Sequence, residues 1–418
     1  MLGTFKAVAP YLKFNPKKVA IDNGVFKLHY RWTFAILMVA TILVSSRQYI
    51  GEHIKCISDT INQHVIESFC FFTTTFTVGK HMNESSLKSG AIPHPGVGPY
   101  VQEVDEVKHH AYYQWVPFVL FGQALMFYLP HLLWKSWEKK RIYNLVNGLK
   151  MIGITRHIGK AMTVGGRDIP SMIETDTRVN DIKESFKNRL SCNEFWGGKL
   201  VLCEVLNLAN IVLQIYITNK FLGGQFLRLG LWFLREDWQG PMDSLDIVFP
   251  KVTKCEFHKF GPSGSIQNHD TLCVMALNVI NEKIYVFLWF WFLIVLIAST
   301  AAVIWRFFTL FCYRSLRFNQ FIFKYASPSA GRLDSDILEA VIRKCNFANW
   351  MFLYFLASNM AGFLFRKVLE MIVLDFNLKL RNDEAVDNEA NKQKMREEIK
   401  YRPIDEVDGA LIPKEKLK

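Results

Sequence analysis

The sequence lacks the short motifs on which most enzyme families depend. It contains no glycine-rich loop that would cradle a phosphate, no HExxH zinc motif and no convincing combination of nucleophile, histidine and acid. The histidines that stand near cysteines do not have the spacing of a metal site. We therefore predict a protein that is not an enzyme and that needs neither a cofactor nor a metal ion.

Acidic residues are scarce in the first 30 positions, which hold Lys6, Lys13, Lys17, Lys18 and Lys27. No small-x-small cleavage site follows the first apolar core at 44–47, which argues against a secretory signal peptide. Basic residues beside an apolar block mark its cytoplasmic end. The sequence thus predicts a cytoplasmic N-terminal segment followed by a membrane span that is retained.

Charged residues are almost absent from several long apolar blocks. The 418 residues include 34 phenylalanines and 11 tryptophans, and 50% of the chain is apolar. Composition alone would also suit a cytosolic helical enzyme, and a net charge of +12 would suit a nucleic-acid-binding protein. However, the basic residues flank the apolar blocks instead of gathering on one module. This pattern is typical of a membrane protein with basic cytoplasmic loops, so we expect membrane lipid and no nucleic acid as a partner.

The clearest apolar block opens with an aromatic hexapeptide: Tyr112, Tyr113, Gln114, Trp115, Val116 and Pro117. It closes at Trp134 after about 20 residues, which is enough to cross a hydrocarbon core of roughly 30 Å. Amphipathic aromatic rings settle at headgroup level, so we expect the tyrosines and tryptophans to mark the two membrane surfaces. Pro117 lacks the N–H of a helical hydrogen bond and would either bend the helix or serve as a hinge.

We predict an all-α membrane protein with four transmembrane helices, disulfide-linked extracellular loops and a cytoplasmic helical domain. The predicted order is a cytoplasmic N-terminal segment (1–27), first span (28–46), extracellular loop 1 (47–111), second span (112–134), cytoplasmic loop (135–198), third span (199–222), extracellular loop 2 (223–283), fourth span (284–306), cytoplasmic helical domain (307–381) and disordered tail (382–418). In the first span, His29 and Arg31 should lie near the inner face, where long side chains can reach the surface.

One later apolar stretch, 347–365, is almost long enough to be a fifth span. Asn349, Ser358 and Asn359 interrupt it, and basic pairs bound it on both sides. Asp334 is a suitable N-cap for a helix before it, whose apolar residues repeat at helical spacing. We therefore favour a cytoplasmic helical domain over a fifth span.

The cysteines divide according to this topology. Cys56 and Cys70 fall in the first extracellular loop, and Cys255 and Cys273 fall in the second. Two cysteines in each extracellular loop, where the environment is oxidising, favour disulfides. The remaining four cysteines (Cys192, Cys203, Cys312 and Cys345) should stay thiols. Four cysteines allow three pairings, and the residues alone do not choose among them.

The third span carries a polar face. Glu204, Asn207, Asn210 and Gln214 fall within about 120° of one another on a helix. Such a face turns either to an aqueous pathway or to hydrogen bonds with neighbouring helices, and we favour the second. In the first extracellular loop, Asn83 begins a glycosylation sequon whose occupancy stays open.

Several segments resemble the innexins, the invertebrate gap-junction proteins, and are most similar to those of arthropods. Besides YYQWV at 112–116, they are SRQYIG at 46–51, WKSWE at 134–138, FPKVTKC at 249–255, HKFGPSGS at 258–265, NEKIY at 281–285 and LWFW at 288–291. The resemblance covers nearly the whole chain to about residue 375, although Lys139-Lys140-Arg141 departs from a Gly-Gly pair common in the family. Connexins share the four-span architecture but carry three cysteines in each loop, so they fit poorly.

The resemblance implies a large-pore channel subunit of gap junctions in the plasma membrane, which passes ions and small metabolites between cells by passive diffusion. Subunits would assemble as a homo-oligomeric ring, typically an octamer, or with other innexins, and would dock with a ring of the apposed cell. It also implies Cys56–Cys273 and Cys70–Cys255 bridges. The N-terminal segment would line the pore mouth, here Met1, Leu2, Gly3, Thr4 and Phe5.

Two alternatives remain open at this point. One is an undocked, pannexin-like hemichannel, which a glycan at Asn83 would favour by obstructing docking. The other is a four-span adhesion or scaffold protein without a pore, against which the docking loops and the polar third span argue.

Overall fold

The computed structural model describes residues 19–50, 54–58, 61–82, 87, 89–90, 92, 94–101, 104–147, 149, 162–164, 167–169, 171–188, 193–235, 244–331 and 333–376. The chain divides into two compact units. The first comprises Met1–Tyr143 and Phe195–Cys312, and the second comprises Asn144–Glu194 and Tyr313–Lys418.

Four helices of the first unit are long and apolar enough to cross a membrane, within the part of the chain that the structure describes. In order they are Gly24–Tyr49, Tyr112–Glu138, Trp196–Phe221 and Ala276–Cys312, here called the first to fourth spans. The prediction of a helical protein with four spans is confirmed. The helices are longer than the predicted spans, because hydropathy identifies only the part of a helix that is suited to lipid. Backbone hydrogen bonding continues the helix beyond that part into water or protein.

The fourth span shows this extension most clearly. Its 37 residues correspond to about 55 Å, well beyond a hydrocarbon core of roughly 30 Å. The first turns carry Asn278, Asn281 and Glu282, all of them fully buried in protein. Asn278 donates to the carbonyl oxygen of Pro250 over 2.9 Å, so this end of the helix is held by loop 2.

The first span contains a π-helical segment, Leu28–Thr33, between α-helical turns. The level of His29 in the membrane stays a prediction, but its side chain does not reach the protein surface. This side chain is fully buried, and its Nε2 lies 2.7 Å from Ser299 Oγ of the fourth span. One ring nitrogen of His29 thus has a hydrogen-bond partner on a neighbouring helix.

The two predicted extracellular loops build one five-stranded antiparallel sheet, here called the loop sheet, which sequence analysis did not predict. The strands are β1 Lys55–Ile57, β2 Thr75–Val78, β3 Val107–His110, β6 Val252–Phe260 and β7 Ile266–Val274. Their order in the sheet is β1-β7-β6-β2-β3. Loop 1 also contributes a helix, Gln63–Thr73, and loop 2 contributes Phe226–Arg235, here called the loop-1 helix and the loop-2 helix. The strands escaped prediction because hydropathy profiles that separate spans from loops carry no information on pairing between distant segments.

The second unit is largely helical. It contains a two-stranded sheet, β4 Met162–Val164 and β5 Arg167–Ile169, and the helices Met172–Asn188, Leu316–Ala326, Ser335–Lys344, Phe347–Asn359 and 362–376. A short helix, Arg141–Val146, follows the second span. Asp334 caps Ser335–Lys344 as predicted, because its side chain accepts from the Asp336 backbone N–H.

The ambiguous apolar stretch is broken into two helices. Phe347–Asn359 has 13 residues, about 20 Å, which is too short to cross a hydrocarbon core. The chain then turns before the helix over 362–376, where Gly362 lies against the backbone of Ser329 and Ala330. These features argue against a fifth span and favour a packed helical domain.

Candidate docking surface and contacts between the spans

Two disulfides join the predicted extracellular loops. Cys56 on β1 stands directly opposite Cys273 on β7 and is bonded to it. Cys70 on the loop-1 helix is bonded to Cys255 on β6. This is the pairing that the family resemblance implies. All four side chains are buried, and the bridges connect residues 217 and 185 positions apart. Each bridge therefore closes a very long loop and constrains the unfolded chain strongly.

The other described cysteines, Cys203, Cys312 and Cys345, are free thiols. Burial raises the pKa of the Cys345 thiol to about 12, so it carries almost no thiolate at neutral pH. Cys192 lies outside the described residues.

Polar bonds add to the disulfides between the two loops. The Lys254 ammonium of loop 2 donates to the Gly98 carbonyl of loop 1 over 3.0 Å and lies 4.8 Å above the Tyr100 ring. The Tyr100 hydroxyl donates to Glu256 over 2.7 Å. Burial and this carboxylate raise the pKa of Tyr100 to about 12, so the hydroxyl remains a donor. The loops thus form one folded body.

Within that body, β2 and β3 carry a buried histidine. His110 Nε2 lies 2.8 Å from Thr77 Oγ1, and the His110 side chain is almost completely buried. Burial, followed by the charges of Lys108 and His109, lowers the pKa of His110 to about 4. The ring is therefore neutral at physiological pH.

The β6–β7 hairpin changes from buried to exposed along its length. Thr253, Lys254 and Cys255 at the base of β6 are buried, whereas the last three residues of that strand are exposed. Phe260 and Ile266 pair across the end of the hairpin and are 74% and 67% exposed. The segment from Phe260 to Ile266, here called the hairpin tip, therefore presents an apolar pair on a rigid base.

The aromatic hexapeptide fastens the second span to the loop-1 helix. Gln114 donates to the Phe71 carbonyl oxygen over 2.6 Å, and the Tyr113 hydroxyl reaches the same oxygen over 3.3 Å. Tyr113, Val116 and Pro117 are buried. The expectation that the tyrosines and tryptophans mark the membrane surfaces is wrong for Tyr113 and Trp134, because both rings pack inside the protein. Trp115 is 61% exposed and remains available to lipid headgroups.

The helix of the second span runs without interruption through Pro117, from Tyr112 to Glu138. Pro117 lies in its second turn, where the missing N–H leaves one carbonyl without an intrahelical donor. The helix is continuous through this position, and both the static bend and the hinge stay predictions.

The polar face of the third span turns to other helices of the same subunit. Glu204 accepts from Arg306 Nε over 2.7 Å and from Arg306 Nη2 over 2.5 Å, a two-bonded pair that ties the third span to the fourth. Asn23, at the start of the first span, donates to the same carboxylate over 2.8 Å. The favoured interpretation, hydrogen bonding between helices, is confirmed for Glu204.

Deeper in the bundle, Gln214 donates to Asn210 over 3.1 Å within the third span. Thr218, one turn further along, accepts from Gln123 of the second span over 2.8 Å. Asn207, Asn210 and Gln214 are all buried. These polar side chains thus lie inside the subunit, and Gln214 and Thr218 are held by the two hydrogen bonds.

Sequence analysis found Glu204 but missed its partners. These partners are Arg306 on the fourth span and Asn23 at the start of the first span. A carboxylate and a guanidinium at the same cytoplasmic end of two spans are a signal for an ion pair, because unpaired buried charges are costly. The candidate pore residues Met1 to Phe5 and the sequon residue Asn83 lie outside the described residues.

Comparison with known proteins agrees with these features. The family model described as Innexin matches residues 22–376. "Innexin inx7" of Drosophila melanogaster is 55% identical over 377 residues, which cover 90% of this chain and 85% of the relative. "Innexin inx2" of the same species is 39% identical over 92% of this chain and 97% of the relative. "Innexin shaking-B" of that species is 33% identical over 88% of this chain and 94% of the relative.

Proposed function

Since this chain belongs to the innexin family, it is a subunit of a gap-junction channel of the plasma membrane, and we propose that its loop sheet is the surface that docks with a channel of the apposed cell. The family is one of channel and junction proteins rather than of enzymes, and its members form oligomers that include hetero-oligomers. For this chain we propose a ring, with eight copies as the expected number. Ions and small metabolites pass through it down their gradients.

The proposed orientation places the loop sheet outside the cell and the second unit in the cytosol. It is supported by Lys135 in the last turn of the second span, by Lys139 and Lys140 directly after it, and by Arg306 near the end of the fourth span. Disulfides in the loop sheet fit an oxidising exterior, whereas the free thiol Cys345 lies in the second unit. Labelling in intact cells of a cysteine introduced near residue 400 would contradict this orientation.

The docking proposal is based on the hairpin tip, which projects from two strands that the disulfides hold in place. An apolar pair that projects from a rigid sheet can bury itself against a partner without first losing conformational freedom. Buried side chains of this size each contribute about 1.5–3 kcal/mol, and every 1.4 kcal/mol changes an equilibrium about tenfold. Two subunits that meet through such tips would therefore gain considerable affinity from a small area.

The proposed pore mouth is the N-terminal segment, Met1 to Phe5. Its sequence is free of charge before Lys6. The next described stretch supports a position at the cytoplasmic end of the spans, because Trp134 of the second span donates its indole N–H to the Ile21 carbonyl over 3.0 Å. The polar side chains of the third span are buried within the subunit, so they contribute little to the lining of a pore.

A double substitution at the hairpin tip tests docking. Phe260→Ser with Ile266→Ser should lower dye transfer between paired expressing cells by more than about tenfold, because both apolar contacts are lost. Single-membrane currents in unpaired cells should stay normal, since the ring itself is unchanged. Phe321→Ser is the matched control: it removes a side chain of 65% exposure in the second unit and should leave dye transfer intact.

The same measurement separates the alternatives. Normal currents without dye transfer in the unmodified chain would favour an undocked hemichannel, and removal of the sequon by Asn83→Gln would then show whether a glycan obstructs docking. Absence of both current and dye transfer at normal surface expression would favour an adhesion protein. Full dye transfer by the double variant would place docking elsewhere on the loop sheet.

A further inference from the structure

The loop-2 helix begins immediately after the third span. The span ends at Phe221, and Gly223 and Gly224 turn the chain with φ angles of 63° and 83°, a conformation that favours glycine. The Gly224 N–H donates to the Asn219 carbonyl over 2.7 Å, which closes the end of the span. The new helix therefore starts within one turn of the level at which the third span leaves the membrane.

The sequence of this helix, FLRLGLWFLR, divides its surface into three faces. Phe226, Leu229 and Gly230 are buried. A leucine row of Leu227, Leu231 and Leu234, which are 55%, 46% and 64% exposed, falls within about 60° on the helix circumference. Arg228 and Arg235 stand within about 20° of each other and about 80° from the centre of the leucine row.

The buried face rests on the fourth span at a definite height. Gly230 is so close to this span that a Cβ would lie 2.2 Å from the Trp289 ring. The Trp289 indole N–H donates to the Leu227 carbonyl over 3.3 Å, and the Phe226 and Phe292 rings are 6.3 Å apart. Trp289 is about 25 Å along the helix from Arg306, close to the roughly 30 Å thickness of a hydrocarbon core. The loop-2 helix thus packs near the membrane boundary opposite Arg306.

The remaining two faces fit a phospholipid interface better than water or protein. Water disfavours three neighbouring exposed leucines. The helix itself carries no acidic residue, although Glu236 and Asp237 directly follow Arg235 in the sequence. The guanidinium groups of Arg228 and Arg235 are suited to binding phosphate oxygens. A leucine row beside a basic face, with aromatic residues at the same level, is the pattern of a helix that lies in the plane of a membrane interface.

We propose that the loop-2 helix is an interfacial helix, with its leucine row among the acyl chains and its two arginines on phospholipid phosphates. The proposed orientation would place this helix in the outer leaflet, whereas its depth in the bilayer does not depend on that orientation. The helix would anchor loop 2 to the lipid surface on one side while the disulfides anchor it to the loop sheet on the other.

Depth-dependent fluorescence quenching tests this in the full chain, reconstituted in phosphatidylcholine–phosphatidylglycerol nanodiscs. A fluorescent amino acid is introduced at Leu231 and quenched either by lipids with a nitroxide near the headgroup, by lipids with a nitroxide at the acyl end, or by aqueous iodide. Two sites of similar exposure serve as controls: Ile297 in the fourth span, 61% exposed, and Ile266 at the hairpin tip, 67% exposed.

We expect the probe at Leu231 to be quenched most strongly by the shallow nitroxide, less by the deep one and least by iodide. Ile297 should respond to lipid nitroxides only, and Ile266 to iodide only. Quenching of the Leu231 probe by iodide alone would overturn the proposal, because the leucine row would then face water. No response to any quencher would overturn it as well, because a neighbouring copy would then cover the row. A probe at Leu234 repeats the test if the first variant does not assemble.

Discussion

Removal of one partner from the buried ion pair between Glu204 and Arg306 should destabilise the bundle, and the substitution Glu204→Gln tests this. Glutamine has nearly the same shape but no charge, so Arg306 would lose this carboxylate while it remains inside the protein. The two side chains are 5% and 15% exposed. Removing one partner of a buried pair costs about 3–5 kcal/mol, chiefly because the other charge is left uncompensated.

An exposed pair in the same chain is a matched control. Arg343 and Glu339 lie 2.6 Å apart, almost the same as the 2.5 Å between Arg306 and Glu204, but they are 78% and 46% exposed. Exposed pairs at this helical spacing contribute about 0.3–0.5 kcal/mol. Glu339→Gln should therefore have little effect, and the difference between the two variants isolates the effect of burial.

The free energy of unfolding of the purified channel in mixed micelles, together with its surface expression, measures the effect. Glu204→Gln should be less stable by about 3 kcal/mol or more. Adding Arg306→Met should restore much of the loss, because the unpaired charge is gone. A different result would show that the Glu204 carboxylate faces the pore: Glu204→Gln would be as stable as Glu339→Gln and would change ion selectivity at normal expression.

Three further predictions follow from other parts of the chain. Deletion of residues 2 to 5 should change conductance and permeant size while gel filtration shows normal assembly, and unchanged conductance would move the narrowest point elsewhere. Gly362→Ala should lower thermal stability by about 1–3 kcal/mol through overpacking, because its Cβ would lie 2.0 Å from the Ala330 backbone nitrogen, whereas Gly122→Ala, with nothing within 4 Å, should not. The pKa of His110 is about 4 in the fold and about 6.5 unfolded, so the unfolded chain binds the extra proton between these values. The free energy of unfolding should therefore be highest above pH 6.5 and should fall by up to about 3 kcal/mol as the pH drops to 4. Unfolding measured at several pH values should show a smaller dependence for His110→Gln.

The local sequence was sufficient for the four spans, for the helix cap at Asp334 and for the polar face of the third span. The four spans follow from apolar runs, since a hydrocarbon core demands about 20 consecutive apolar residues whatever the rest of the fold does. The cap at Asp334 and the polar face around Glu204 follow from the spacing of residues on one helix. The family resemblance was carried by short segments such as the aromatic hexapeptide and is confirmed by the comparisons.

Features that join distant segments were decided by the tertiary structure. The loop sheet takes Cys56 from one loop and Cys273 from the other, and only their register opposite each other selects one pairing among the three possible. The pairing of Glu204 with Arg306 and the burial of Tyr113 depend in the same way on which helices lie side by side. Hydropathy measures how a residue partitions between water and lipid. It does not indicate which protein surface will cover that residue, because this depends on segments far away in the chain.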